Sequence, residues 1–489
     1  MTNFKIILLI LLFAATRQPV AAQEALPLDS LLSEAARNNP DIKASWLQYE
    51  ASLQKVPQVG GLPDPQASFG FYTKPMAILG GEQVAQLSLM QMFPWFGTLK
   101  AGKDEASAMA LAKFEAFNAV KADLFYQVQT SWYQLVQLKT EINLVQRNIE
   151  LLESLEELAM VKFQSPPAEG GSSAPMPPAP AANMNSSIQN SGMSGGGMGT
   201  MGGQSTRPAA NQSMGGSGMG TSMAKSSPGL QDVLRVKMEI LEQRDRVALL
   251  NDQLETAKVA FNALLNRDLD TPLVLPDSME QIRLRAEELA LADNILQRNP
   301  MLAMLNREKS SYEAMETKAK KMALPMFGVG VNYMLNQERE GADPMMNGMD
   351  MVMPMLSVSI PIYGKKNRAM GEEAQLMKQA NVQQNQSLQN QLRVQSQSLL
   401  KELADASRRM VLYKEQQELA QASTQLLLAA FSGTGADFEE VLRMQSKQLD
   451  YGFKRVQALT DYNNTVALAE KLMNTTSSKF KTEYHEYNK

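Results

Sequence analysis

Two stretches of the chain alternate apolar and polar residues, and a much longer stretch with helical composition follows each of them. The first alternation predicts strands at about 66–73 and 84–93, and the second predicts strands at about 326–334 and 352–362. Alternation indicates a strand because successive side chains of a strand point to opposite faces. Each pair of strands would form a hairpin with one apolar face.

The segments 98–163 and 365–431 contain no proline and almost no glycine, and they are rich in Ala, Leu, Gln, Glu, Lys and Arg. These residues favour helices. At a rise of 1.5 Å per residue each helix would be about 100 Å long, a length typical of a coiled-coil assembly. Shorter returning helices are predicted at 229–266 and 436–473.

The same order of motifs occurs twice along the chain. An Asn-Pro pair begins a helix before each hairpin, at 39–40 and at 299–300. A segment with proline, an aromatic residue and glycine leaves each hairpin, at 94–97 and at 361–364. The sequence therefore predicts an internal duplication. The predicted parts are a first repeat at 23–270, a second repeat at 271–474, and a polar tail at 475–489.

The N-terminus has the features of an export signal. Lys5 precedes the apolar run 6–15, and the small residues at 20–22 precede Gln23. This pattern predicts a signal peptide over 1–22, with an N-terminal membrane anchor as the alternative, although the apolar run is too short to span a bilayer as a helix. No later segment approaches 18 consecutive apolar residues, so a mature chain that crosses a membrane would do so as a barrel.

The predicted strands are long enough to cross hydrocarbon at a tilt. Aromatic residues near their ends suit a membrane interface, and these are Tyr72, Phe93, Trp95, Phe96, Tyr333 and Tyr363. The alternative is two soluble hairpins that bury one face. Four strands cannot close a barrel, and an open edge in lipid leaves backbone groups unpaired. Membrane strands would therefore imply an oligomer.

Composition excludes several classes of function. The chain has no cysteine, which removes thiolate metal sites, catalytic thiols and a lipid anchor, and its single histidine, His485, lies in the polar tail. The net charge of -4 gives no surface for nucleic acid. No glycine-rich phosphate loop follows a strand. We therefore expect a protein that is not an enzyme and needs no resident cofactor.

Methionine is unusually abundant, with 33 residues. The segment 165–227 replaces a turn by an insert of Gly, Ser, Pro, Ala, Asn and Met, whose composition predicts disorder. The methionines of the insert are Met176, Met184, Met193, Met198, Met201, Met214, Met219 and Met223. A second group in the second hairpin comprises Met345, Met346 and Met349, with Met351, Met353 and Met355 after them.

Thioether sulfur is a soft ligand that suits Cu(I) and Ag(I). The hypothesis is that both groups of methionines hold these ions transiently. The alternative is that methionine is adaptable filler in a linker and in a barrel.

The order of helix, hairpin, very long helix and returning helix, given twice, resembles the TolC-like outer-membrane factors, and most of all their copper and silver efflux branch. These proteins are the exit ducts of tripartite efflux pumps and of type I secretion. The resemblance implies a mainly α fold with a membrane β-barrel, four strands and two long helical hairpins per protomer. A homotrimer would form a 12-stranded barrel in outer-membrane lipid and a 12-helix periplasmic tunnel. The implied partners are a periplasmic adaptor and a proton-driven inner-membrane pump of the RND type.

The resemblance also places the turns near 227–235 and 432–442 at a periplasmic tip that opens and closes. The acidic candidates for this gate are Asp232, Asp437, Glu439 and Glu440. The alternative is that these acids only cap helix starts, where a carboxylate can bind exposed backbone N–H groups.

The function predicted from the sequence is passive conduction from periplasm to exterior, with Cu(I) and Ag(I) as the leading substrates. Efflux of drugs or organic solutes, or type I secretion, is the alternative within this class. A periplasmic, methionine-rich, metal-binding coiled-coil protein is the alternative from another class. The predicted location is the outer membrane, with an extension into the periplasm and without a lipid anchor.

Overall fold

A computed structural model of the chain describes residues 28–164, 228–284, 290–341, 345, 347–433 and 438–475. The predicted signal peptide, the insert and the tail after Thr475 lie outside the described residues. Several candidate residues lie outside them as well: Asp437, Met346, Met176, Met184, Met193, Met198, Met201, Met214, Met219 and Met223.

The described chain is mostly helical, with one antiparallel sheet of four strands, as the sequence predicts. The first helices are α1 (Leu28–Asn38), α2 (Pro40–Leu53), α3 (Lys55–Gly60), α4 (Thr98–Gln164) and α5 (Pro228–Leu264). The later helices are α6 (Leu291–Arg298), α7 (Pro300–Met322), α8 (Lys365–Gly433) and α9 (Phe438–Met473). The strands are β1 (Gln66–Ile78), β2 (Gly81–Phe93), β3 (Met326–Gln337) and β4 (Met351–Ser359). No helix among the described residues is long and apolar enough to cross a membrane.

The strands differ from the predicted ranges at their ends. The loop expected between 73 and 84 is only a turn at Leu79 and Gly80, because the pairing of β1 with β2 continues as far as Ile78 opposite Gly81. A break in register after Phe71 interrupts the alternation there without ending the strand, which is the effect of a β-bulge. The sequence prediction was wrong here because it followed the alternation alone.

The second hairpin differs in the same way. Strand β3 continues to Gln337, beyond the predicted end at 334, and β4 ends at Ser359 rather than at 362. The early end of β4 has a local cause, since Pro361 has no backbone N–H to donate to a ladder.

The sheet has the order β1-β2-β3-β4, so the central pair β2–β3 joins the two hairpins. The register sets Ser68 opposite Ser88, Ser88 opposite Asn332, and Asn332 opposite Met353. Strands β1 and β4 are the two edges of this sheet.

Helices α2 and α7 begin with the same arrangement of contacts. The Asn39 side-chain oxygen accepts a hydrogen bond from the Asp41 backbone N–H at 2.9 Å, and Asn39 Nδ2 donates to the Leu264 carbonyl at 3.2 Å. The Asn299 oxygen likewise accepts from a backbone N–H two residues later, at 3.0 Å, and its Nδ2 donates to the Leu472 carbonyl at 3.2 Å. Each asparagine therefore caps one helix and binds the last turn of a returning helix.

The chain divides into two compact units, one formed by residues 1–149 and 243–489 and the other by residues 150–242. The first unit has a core between helices, and its fully buried large side chains include Leu31, Phe125, Leu135, Phe261 and Leu265. A second core in this unit includes Leu291, Ile295, Leu302 and Leu399.

The second unit contains the end of α4 and the start of α5. Leu152 and Leu155 are buried on α4, and Val233 and Val236 are buried on α5. Lys237 Nζ lies 3.4 Å from a carboxylate oxygen of Glu156, which joins the two helices.

Candidate functional site

The two faces of the sheet have opposite chemical character. One face carries large apolar side chains, most of which are exposed. Its exposed members are Phe69, Phe71, Leu87, Leu89, Val329, Val331, Leu335, Leu356 and Val358. The other face carries small, polar and sulfur-containing residues, among which Asn332 and Asn336 are buried.

This alternation is the inverse of that in a soluble hairpin, which buries its apolar face and leaves the polar face to water. Phe69 and Phe71 are 69% and 70% exposed, whereas Gly328, Gly330 and Asn332 of the opposite face are buried. The apolar side of the sheet is thus the side that the described residues leave uncovered. These residues do not support the alternative of two soluble hairpins with a buried apolar face.

The predicted interface aromatics lie near both ends of the strands but not all on one face. Phe93 and Tyr333 belong to the apolar face, and Phe96 and Tyr363 are strongly exposed where the chain leaves the sheet. Tyr72 is different, because its hydroxyl donates to Gln86 Oε1 at 3.4 Å on the polar face.

Two further contacts hold the aromatic residues at the strand ends. The Trp95 ring lies 5.7 Å from the Phe327 ring, at the end of the sheet next to the long helices. The Tyr333 hydroxyl donates to Asp350 Oδ2 at 2.5 Å, at the end next to the β3–β4 loop.

The described methionines of the β3–β4 loop lie at its surface. Met345 and Met349 are both exposed, at 85% and 60%. The loop is held in place by Asn347, whose side chain bonds both backbone groups of Arg339, and by the Gly348 N–H, which donates to the Gly80 carbonyl at 2.9 Å. The loop therefore docks on the turn between β1 and β2.

Alternation along the sequence does not connect Met90, Met92 and Met334 with the methionines of the second hairpin. All three lie on the polar face of the sheet. Met334 is paired with Met351, and Met90 and Met92 are paired with Gly330 and Gly328. The pairing between strands identifies which residues share this face, whereas alternation within a single strand does not.

Of the described gate candidates, Glu439 and Glu440 lie in the first turn of α9, and Asp232 lies just after the first turn of α5. Asp232 is half-buried in α5, next to the buried Val233. Glu439 is exposed, and Glu440 accepts a hydrogen bond from Arg443 Nε at 2.8 Å. That hydrogen bond lowers the pKa of the Glu440 carboxyl, so Glu440 is ionised and paired with a cation on its own helix.

No group of three or more His, Cys, Asp or Glu side chains able to hold a metal ion occurs within the described ranges.

No protein-family model matches this chain, and no curated protein matches it either. Solved structures do. The outer-membrane channel OprN is 14% identical, with a TM-score of 0.62 over 91% of this chain and 89% of its own. The MtrE outer-membrane channel of Neisseria gonorrhoeae is 13% identical, with a TM-score of 0.62 over 91% and 88%.

CusC, whose structures concern folding and transmembrane channel formation, is 15% identical, with a TM-score of 0.56 over 91% of both chains. The similarity covers nearly the whole chain in all three cases. The chain therefore has the fold of these outer-membrane channel proteins.

Proposed function

We propose that this chain is the outer-membrane channel of a tripartite efflux system of the TolC-like kind, and that it conducts substrate passively from periplasm to exterior. The observation that carries the proposal is the sheet, whose large apolar side chains are exposed while the polar face of its two middle strands is buried or half-buried. A strand between lipid and an aqueous channel has this distribution of residues. The shared fold with outer-membrane channels supports the same conclusion.

The edges of the sheet argue for an assembly. In lipid the outer backbone groups of β1 and β4 would need hydrogen-bond partners, and only a closed barrel supplies them. Joining copies edge to edge closes such a barrel. The TolC-like resemblance leads us to propose a trimer with twelve strands and twelve tunnel helices. We also propose that each chain consists of two structural repeats.

The energy for transport would come from other proteins. The sequence has no glycine-rich phosphate loop after a strand, so we propose a proton-driven inner-membrane pump of the RND type and a periplasmic adaptor as partners. The adaptor would open the helical tip.

Glu440, and separately Asp232, are our candidates for a cation-sensitive gate. Replacing either with alanine should change the block of single-channel conductance by multivalent cations. Unchanged block would remove that residue from the gate.

We propose Cu(I) and Ag(I) as the substrates. Thirty-three methionines provide soft, neutral sulfur in a chain without cysteine and with one histidine. Thioethers favour soft monovalent ions over Zn²⁺ or Mg²⁺.

The channel itself is tested by inserting the purified full-length protein into planar lipid bilayers. We expect discrete conductance steps that multivalent cations reduce. Protein that is inserted in the bilayer and gives no conductance would overturn the proposal.

The substrate is tested by deleting the gene: sensitivity to copper and silver should rise while drug tolerance stays the same. The opposite pattern would favour efflux of organic solutes.

A further inference from the structure

The polar face of the sheet brings six methionines together from three strands. They are Met90 and Met92 in β2, Met334 in β3, and Met351, Met353 and Met355 in β4. The register explains the convergence. Met90 stands opposite Gly330, which stands opposite Met355, and Met92 stands opposite Gly328.

Gly328 leaves space above the middle strand that side chains of the neighbouring strands fill. A Cβ atom at Gly328 would lie 2.2 Å from Ser357 Oγ, 2.6 Å from Met92 Sδ and 3.6 Å from Met90 Sδ. Any side chain at this position would therefore have to displace the hydroxyl group and the sulfur of Met92. The hydroxyl and the sulfur atoms occupy the volume that glycine leaves empty.

The hydroxyl group of Ser357 lies close to the sulfur atoms of both Met90 and Met92. Ser357 Oγ donates to Met90 Sδ at 3.5 Å and lies 3.8 Å from Met92 Sδ. Met90 and Met92 are half-buried, whereas the apolar Leu87 and Leu89, which precede them in β2, are exposed. Met355 stands two strands away, about 10 Å between backbones, and its unbranched side chain can reach across Gly330.

Packing in an apolar core does not account for methionine at these positions. Methionine often fills gaps in apolar cores, but these residues share their face with Ser88, Gln86 and Asn332. The large apolar residues lie on the opposite face. Methionine on the polar side of a sheet supplies neutral sulfur at a surface that would otherwise be only polar.

We propose that Met90, Met92 and Met355 form a thioether site for Cu(I) or Ag(I) on the polar face of the sheet. Met353 and Met351 continue the row of sulfur along β4 towards Met349 in the loop. The role of this site in transport rests on the proposed function, because the polar face would line the channel. Weak sites in series allow an ion to enter and to leave, as conduction requires.

The test uses the full-length protein in lipid nanodiscs without chloride, with ¹³C-labelled methionine methyl groups and Ag(I) nitrate as the probe. The single variants Met90→Leu and Met92→Leu assign the two signals. We expect Ag(I) to shift both at lower concentration than it shifts methionines on the helices, such as Met301 and Met377. Signals of Met90 and Met92 that shift no earlier than those of Met301 and Met377 would overturn the site.

A variant pair provides the matched control. The triple variant Met90→Leu, Met92→Leu, Met355→Leu should bind Ag(I) at this face about tenfold more weakly or worse. The control Met301→Leu, Met322→Leu, Met377→Leu removes as many sulfurs from α7 and α8 and should leave the affinity of the face unchanged. Equal Ag(I) affinities for the two triple variants would contradict the proposal.

Gly328→Ala tests the geometry with every sulfur retained. The added methyl group should separate Met92 from Ser357 and weaken Ag(I) binding at the face, and full affinity in this variant would count against the converging site.

Bilayer conductance separates the two proposals. Conductance without Ag(I)-induced shifts at Met90 and Met92 would refute only the site, and shifts without conductance would refute only the channel.

Discussion

At the scale of single residues, Glu316 shows how one carboxylate joins two helices. It accepts hydrogen bonds from Lys320 Nζ at 2.7 Å on its own helix, and from Gln375 Nε2 at 3.1 Å and Lys378 Nζ at 3.2 Å on α8. The hydrogen bonds from these three side chains, with that from Lys320 the strongest, lower the pKa of Glu316 from 4.5 to about 2.

This pKa predicts how stability depends on pH. Because the pKa of Glu316 is lower in the folded state than in the unfolded chain, ionised Glu316 stabilises the fold. The contribution is fully present above about pH 4.5 and is lost as the pH falls towards 2. We expect Glu316→Gln to lower the melting temperature by about 2 °C at pH 7, and the difference from wild type to vanish near pH 2, as followed by circular dichroism.

Glu313→Gln is the matched control, since Glu313 is an exposed glutamate on the same helix. Its melting temperature should differ little from wild type at either pH. A deficit in Glu316→Gln that is the same at pH 7 and near pH 2 would show that the carboxylate charge is not its cause.

At the scale of elements, the caps of α2 and α7 determine how the short helices meet the ends of the returning helices. Asn39 and Asn299 each satisfy backbone N–H groups at one helix start and a carbonyl at another helix end. The sequence predicts the helix starts from the Asn-Pro pairs alone. It does not predict the partners Leu264 and Leu472, which are 225 and 173 residues away.

Replacing these caps should therefore have two costs. We expect Asn39→Ala and Asn299→Ala each to reduce the free energy of unfolding by about 1–2 kcal/mol, because a cap and a bond to a buried carbonyl are both lost. Urea unfolding followed by circular dichroism measures the change. Asn38→Ala, one position before the cap, is the control, and a loss as large as that of Asn39→Ala would argue against the cap as the source.

At the scale of the whole molecule, the sheet decides how the chain meets its surroundings. Leu89 and Ser88 are adjacent in β2 but belong to opposite faces, with Leu89 55% exposed on the apolar one. If the apolar face meets lipid, a charge at Leu89 is costly and a charge at Ser88 is tolerated.

We expect Leu89→Arg to destabilise the inserted protein by about 2–4 kcal/mol, the cost of arginine on the lipid face of a barrel near the midplane. Less folded oligomer should then be recovered from membranes. Ser88→Arg should fold and insert normally while altering ion selectivity. Tolerance of Leu89→Arg together with failure of Ser88→Arg would reverse the assignment of the two faces.

The sequence by itself determined the helices, the strands and their order, because these depend on local properties. Long runs without proline favour helix, and alternation favours strand. The strand ends required pairing partners, as the extension of β1 to Ile78 shows.

Only the tertiary structure decided which face of the sheet is exposed, and that Met90 and Met92 meet at Ser357. Cross-strand register and contacts between distant segments fix these features. A pattern of period two within one strand has no information about what stands opposite it, so alternation reveals that a strand has two faces but not what each face meets.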